Sequence, residues 1–207
     1  MAATPVDCSA YKASSAVAVT IPPASAPSLS VPATSNSGSY TVSWSAVSSA
    51  SSYTLQEQVN GGGWGTVQSS GTTSKAFSGK GNASYGYRAQ ACNAGGCGAW
   101  SAVGTIAVTL PPAAPATVTA PFSVLGKPYS ITWSASATAT SYKVQRTNLN
   151  DGSVAIVATT TATSAAMPAP TTSQYLQYAV QACNVGGCSA FKNASNPTQA
   201  NPPGPIE

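Results

Sequence analysis

Tyr85-Gly86-Tyr87-Arg88-Ala89-Gln90-Ala91-Cys92-Asn93-Ala94-Gly95-Gly96-Cys97 reads as a strand that runs into a two-cysteine turn, and the chain writes it twice. The echo is Tyr178-Ala179-Val180-Gln181-Ala182-Cys183-Asn184-Val185-Gly186-Gly187-Cys188. Earlier landmarks repeat as well: Trp44 answers to Trp133, and Tyr53 to Tyr142. A partial third copy stands in front, with Cys8, Pro22 and Pro23 ahead of Cys97, Pro111 and Pro112 by the same interval. That interval is roughly 90 residues, whereas solenoid units run about 20–50, so it marks an array of whole domains.

The segments between landmarks pattern as strands. In Ser39-Tyr40-Thr41-Val42-Ser43-Trp44, Tyr40, Val42 and Trp44 share one face, as a half-buried strand requires. Tyr129-Ser130-Ile131-Thr132-Trp133 does the same, and Ser52–Gln56 and Ser141–Gln145 alternate likewise. Asn60-Gly61-Gly62-Gly63 and Asn150-Asp151-Gly152 carry the chemistry of turns that need positive φ. No stretch has a helical period with caps. About seven short strands per copy, with turn signals every 8–12 residues, describe an immunoglobulin-like sandwich.

Paired prolines mark the boundaries. Ile21-Pro22-Pro23-Ala24, Leu110-Pro111-Pro112-Ala113 and Asn201-Pro202-Pro203 follow β-prone segments. Proline fixes φ and cannot donate to a ladder, so each pair both ends a strand and stiffens a joint. The division expected is a tail at 1–23, a first domain at 24–111 and a second at 112–207, strung end to end with limited swivel. Residues 8–23 read as the last strand of a preceding repeat: Cys8-Ser9-Ala10-Tyr11-Lys12 matches Cys188-Ser189-Ala190-Phe191-Lys192. The chain is therefore expected to be a piece of a longer array. Cys8 lacks its partner, since Ala3 stands where the other cysteine belongs, which leaves an unpaired or intermolecular thiol. The alternative use of this orphan strand is docking on a neighbour.

Composition narrows the function. Charged residues are 6% of the 207, against roughly 25% in an ordinary soluble domain, so hydroxyls and amides must supply solubility. The net charge of +4 comes from scattered Lys and Arg that form no phosphate-tracking stripe, which argues against nucleic acid. No apolar run reaches the ~18 residues of a membrane helix, and Met1-Ala2-Ala3 lacks the start of a signal peptide, so any export signal is expected outside this stretch.

The segment Tyr85-x-Tyr87-Arg88-x-x-Ala91-Cys92-Asn93-x-x-Gly96 resembles the sixth strand and following loop of fibronectin type III domains. Trp44, with Tyr53 on the next strand, resembles the same family, and the second copy matches through Trp133, Tyr142, Tyr178, Ala182, Asn184 and Gly187. The Ala-Cys-Asn-x-Gly-Gly-Cys flavour is similar to modules of bacterial secreted and surface proteins, including accessory modules of polysaccharide-degrading enzymes. The resemblance implies an all-β pair of sandwiches in tandem behind the orphan segment. It departs from the family at Leu176, opposite Tyr85, where a tyrosine typically makes a corner hydrogen bond; Tyr175 is the nearby substitute.

Cys92 with Cys97, and Cys183 with Cys188, flank an Asn-x-Gly-Gly turn, and such spacing brings two Cβ atoms within disulfide reach across a hairpin. Each pair reads as a staple between the last two strands, worth about 2 kcal/mol by loop entropy. The rival, zinc, needs four Cys/His ligands, and the chain has no histidine. Disulfides imply an oxidising compartment, hence an extracellular or cell-surface protein.

Catalysis finds no purchase. Without histidine there is no Ser-His-Asp or Cys-His arrangement. The acids are Asp7, Glu57, Asp151 and Glu207, one interior to each domain, where glycoside hydrolysis needs a facing pair and calcium a cluster. Gly61-Gly62-Gly63 lacks the Gly-Lys-Ser/Thr of a phosphate loop. No metal or cofactor is expected. The aromatics Trp64, on a turn, and Trp100, after the stapled loop, are the candidates for contact with a ligand or partner, the alternative being that they cover the ends of the core. The expectation is a non-catalytic spacer or interaction module of an exported bacterial surface or secreted protein, its partners the neighbouring modules of the array. The alternatives are a carbohydrate-binding accessory module for polysaccharide, or a fibre subunit that pairs with another copy through its edge strands.

Overall fold

The computed structural model describes residues 19–204; Cys8 and most of the expected tail strand lie outside them. The first sandwich comprises β1 (Leu29–Ser30), β2 (Thr34–Ser35), β3 (Tyr40–Trp44), β4 (Ser52–Val59), β5 (Gly65–Ser70), β6 (Ser74–Phe77), β7 (Ala83–Asn93), β8 (Gly96–Cys97) and β9 (Gly104–Val108). The second comprises β10 (Val118–Thr119), β11 (Ser123–Leu125), β12 (Tyr129–Trp133), β13 (Ser141–Asn148), β14 (Val154–Thr160), β15 (Ser164–Met167), β16 (Gln174–Asn184), β17 (Gly187–Cys188), β18 (Lys192–Asn193) and β19 (Thr198–Asn201). No helix occurs among the described residues.

Each sandwich sets a small sheet against a larger one. The orders are β1-β3-β6 facing β2-β9-β7-β4-β5, and β10-β12-β15 facing β11-β19-β16-β13-β14. The opening strand of each domain changes sheets. Thus β1 pairs antiparallel with β3 while β2 lies parallel to β9, and β10 and β11 repeat this with β12 and β19. The switch closes one side of the larger sheet and leaves β5 and β14 as its open edges.

The alternation read in the sequence becomes the core. Val42 and Leu55 in the first sandwich, and Ile131 and Val144 in the second, are fully buried beside Trp44 and Trp133. The loop after each Trp strand is tied down by the hydroxyl of the following tyrosine: Val47 N–H donates to Tyr53 and Ser136 N–H to Tyr142, both at 2.9 Å. A β-bulge falls at the same place in both copies, between Leu55 and Gln56 against β5 and between Val144 and Gln145 against β14. Its extra residue, Val67 or Val157, packs on the core.

Two local expectations change. Asn60 and Gly61 do take positive φ, but across Asn150-Asp151-Gly152 only Gly152 does; the first turn closes through Gly62 N–H to Val59 C=O, the second through Gly152 N–H to Asn148 C=O, one residue wider. The corner bond exists in the first domain, where the Tyr85 hydroxyl donates to Gly81 C=O at 3.1 Å. In the second, Leu176 is buried in its place and Tyr175 is exposed, and among the described residues no corner bond forms.

Candidate functional site

The stapled loops sit on the linkers. Cys92 is joined to Cys97 and Cys183 to Cys188, each bond bridging opposed residues of a two-strand ladder. The hairpin between them turns through Gly96 and Gly187, whose φ values of 124° and 132° only glycine adopts readily. Within each loop the Asn side chain works both ways. Asn93 Oδ1 accepts from Gly95 N–H and Asn184 Oδ1 from Gly186 N–H, each at 2.8 Å, which fixes the loop. The free amide ends then reach outward: Asn93 Nδ2 donates to Ile21 C=O at 2.8 Å, and Asn184 Nδ2 to Leu110 C=O at 2.9 Å. A side chain at Gly95 would collide with the Thr20 carbonyl oxygen, and one at Gly186 with that of Thr109. Gly96 and Gly187 lie against the rings of Pro22 and Pro111, the would-be Cβ to Cγ distance being 3.3 Å in each case. The second proline of each pair, Pro23 and Pro112, is buried. The same clasp is therefore built twice, and in the second domain the linker it holds comes straight from β9 of the first.

Trp64 and Trp100 come together around a residue between them in the sheet. Arg88, on β7 and opposite Gln56 in the ladder, lies with its guanidinium 4.3 Å from the Trp64 ring centre and 4.5 Å from that of Trp100. Trp64 arrives from the loop before β5 and Trp100 from the loop before β9, so the rings reach Arg88 from opposite sides of the strand order. Arg88 Nε and one terminal nitrogen both donate to Gln56 Oε1, at 2.9 and 2.7 Å, which holds the guanidinium plane in place. All three side chains are half-buried. The second sandwich has Ala179 opposite Gln145, an exposed Val154 and Phe191, and no such stack. Arg88→Ala is expected to cost the first domain about 1–2 kcal/mol through two half-exposed cation–π contacts and the lost hydrogen bonds. Near-ultraviolet dichroism of Trp64 and Trp100 should collapse with it; an unchanged spectrum would count against the stack.

The inward faces end in polar clusters that differ between copies. In the first, Lys80 Nζ lies 2.6 Å from Glu57 Oε2, which also accepts from the Tyr87 hydroxyl at 2.6 Å. Tyr87 lies 2.7 Å from the Tyr40 hydroxyl. Lys80 also sits over the rings of Phe77 and Tyr85, at 4.9 and 4.8 Å. Burial, followed by the bonds to Glu57 and Tyr40, pushes the Tyr87 phenol far above its ordinary range. Burial also raises Tyr40. In the second copy Tyr129 and Tyr178 are paired at 2.5 Å, and burial likewise drives Tyr178 up. Among the described residues no three His, Cys, Asp or Glu gather as a metal site, and no helix is long and apolar enough to cross a membrane.

Two features escaped the sequence reading. The linker clasp is signalled by Asn-x-Gly-Gly recurring in both copies at nearly the spacing of Pro-Pro, but the turn and its disulfide staple already account for the motif. Arg88, one of few cations, sits on a strand flanked in space rather than in sequence by Trp64 and Trp100.

No protein-family model matches the chain, and no curated protein matches it. Among solved structures it is similar to the chicken CNTN1 FN1-FN3 domains, with 20% identity, 90% of this chain and 69% of that chain covered, and a TM-score of 0.44. It is also similar to domains A168-A170 from titin, with 16% identity, 85% and 67% covered, and a TM-score of 0.50. At such identity the likeness concerns the fold alone: the chain is all-β, a tandem of immunoglobulin-like, fibronectin type III-like sandwiches.

Proposed function

We propose that the chain is a non-catalytic spacer of an exported multidomain surface or secreted protein of the bacterial kind, its modules held at set angles to their neighbours. The observation that carries this reading is the duplicated clasp: Asn93 and Asn184 each grip the carbonyl of the residue just before a Pro-Pro pair. A freely swivelling linker needs no such grip, and a disulfide-pinned loop presents it without the entropy of ordering. The disulfides fit an oxidising compartment. Stacking on polysaccharide would use ring faces that Trp64 and Trp100 give to Arg88; specific retention on cellulose, chitin or cell wall would restore that role.

The test loosens one clasp. Asn184→Ala with Gly186→Val removes two hydrogen bonds, to the linker and within the loop, worth about 1 kcal/mol each, and drives a side chain into the Thr109 carbonyl, so the linker must leave the loop. Small-angle scattering and NMR relaxation should change from one tumbling body to two, with the fingerprint of each sandwich kept. A wild-type chain that already scatters as a freely jointed pair would refute the reading.

A further inference from the structure

The second sandwich carries a cleft that the first has filled. It measures about 320 Å³, at the small end of ligand pockets, and its lining includes Tyr129, Arg146, Met167, Pro170, Leu176 and Tyr178. Comparison of the two copies shows how it arose. Arg146 stands opposite Tyr178 in the β13–β16 ladder, as Glu57 stands opposite Tyr87 between β4 and β7. The charge at that inward position is thus reversed. The loop position that supplies Lys80 in the first domain falls at Pro170 or Thr171, which carry no charge. Phe77 becomes Met167, opposite Tyr129 as Phe77 is opposite Tyr40, and Tyr85 becomes Leu176. Smaller side chains and a missing ammonium leave the space open.

What remains is a half-buried cation with nothing to neutralise it. Among the described residues Arg146 makes no side-chain hydrogen bond and no ion pair, the Lys80–Glu57 pair being the only one found there. Its nearest acidic influence is on Asp151, which is exposed in the hairpin and engaged with Asn148 and Ser153. A half-buried guanidinium at the wall of a cleft is a ready partner for an anion. The hydroxyl pair supplies a second donor: of Tyr129 and Tyr178 one donates to the other, and the remaining proton has no protein acceptor among the described residues. In the first domain Tyr87 donates to Glu57, so Tyr40 donates to Tyr87.

We propose that this cleft binds a small carboxylate, bidentate on Arg146 and accepting from the free proton of the Tyr129–Tyr178 pair, with its body against Met167, Pro170 and Leu176. A carboxylate is assigned rather than a phosphate because a single guanidinium fork faces the space, and a fork matches one carboxylate in a bidentate pair. At about 320 Å³ the cleft has room for a small organic acid of up to monosaccharide size, and galacturonate is the probe that combines that size with a carboxylate. This assignment stands apart from the spacer role, and either can fail alone.

The chain has two methionines, Met1 and Met167, so methyl-labelled methionine gives a reporter in the cleft wall of the 207-residue chain. Galacturonate should move the Met167 signal saturably at millimolar concentrations, galactose should not, and sulfate should bind at least about tenfold more weakly. Arg146→Gln should weaken galacturonate binding at least tenfold. Arg146→Glu with Pro170→Lys, which rebuilds the arrangement of the first domain, should keep the Met167 signal dispersed and abolish binding. Should either variant fail to fold, Arg146→Lys, which keeps charge but loses the fork, must still bind several-fold more weakly. No movement of Met167 by about 50 mM galacturonate, equal binding of sulfate, or undiminished binding by the Arg146 variants would each overturn the proposal.

Discussion

Raising the pH from about 9 to 11 is expected to strip the second sandwich of roughly 1.4 kcal/mol and the first of more. The cause is the phenols at the core ends. Tyr87 and Tyr178 are 0% and 1% exposed, and both hold their protons well above the ordinary 10.0. Below that value folded and unfolded chains both keep the proton, and these groups contribute no pH dependence. Above it the unfolded chain releases a proton that the fold retains, so each such tyrosine removes about 1.4 kcal/mol per pH unit until its folded pKa is reached. Tyr40, also raised, adds to the slope in the first domain only. Urea unfolding at stepped pH measures the slopes, and absorbance near 295 nm should show Tyr87 and Tyr178 ionising only with unfolding. Flat stability over this range, or unaltered slopes in Tyr87→Phe and Tyr178→Phe, would show these phenols to be ordinary.

Lys80→Met is expected to destabilise the first sandwich by about 3 kcal/mol, and Glu57→Leu added to it to recover much of the loss. The side chains of Lys80 and Glu57 are only 21% and 12% exposed, so removing one strands the other in a place poorly reached by water. Glu57 alone keeps the Tyr87 hydroxyl, which softens the loss without supplying charge. Replacing both by apolar groups removes the desolvation cost along with the attraction. The reading is a double-mutant cycle in denaturant, followed by Trp44 fluorescence. If the double variant proves as unstable as the sum of the singles, the pair is not acting as a desolvated couple.

The fold was legible because its signals are local and duplicated. Alternation around Trp44 and Trp133, Gly/Asn turns and Cys spacing depend on a few neighbouring residues, and each occurs in both copies. The clasp was less legible because its partner lies far along the chain: Asn184 meets Leu110 across a loop whose own turn chemistry already accounts for every residue type in it. The cleft of Arg146 was least so. Neither Arg146 nor Glu57 stands out in sequence, since a charge beside a strand end usually faces water. Only the ladder register, which sets each of them opposite a buried tyrosine, shows that both point inward. Trp64 and Trp100 stand out in sequence as aromatics near turns, whereas Arg88, which both rings flank, is brought to them only by the strand order.

The sheet-switching first strand has a mechanical consequence. In the second sandwich β11, near the entry of the chain, lies parallel to β19, near its exit, over Ser123–Gln199, Val124–Ala200 and Leu125–Asn201. A pull applied to the two ends therefore drags these strands past each other in shear. Their cross-links bear the load together and must break as a group, where an antiparallel pairing of the terminal strands would have opened like a zip.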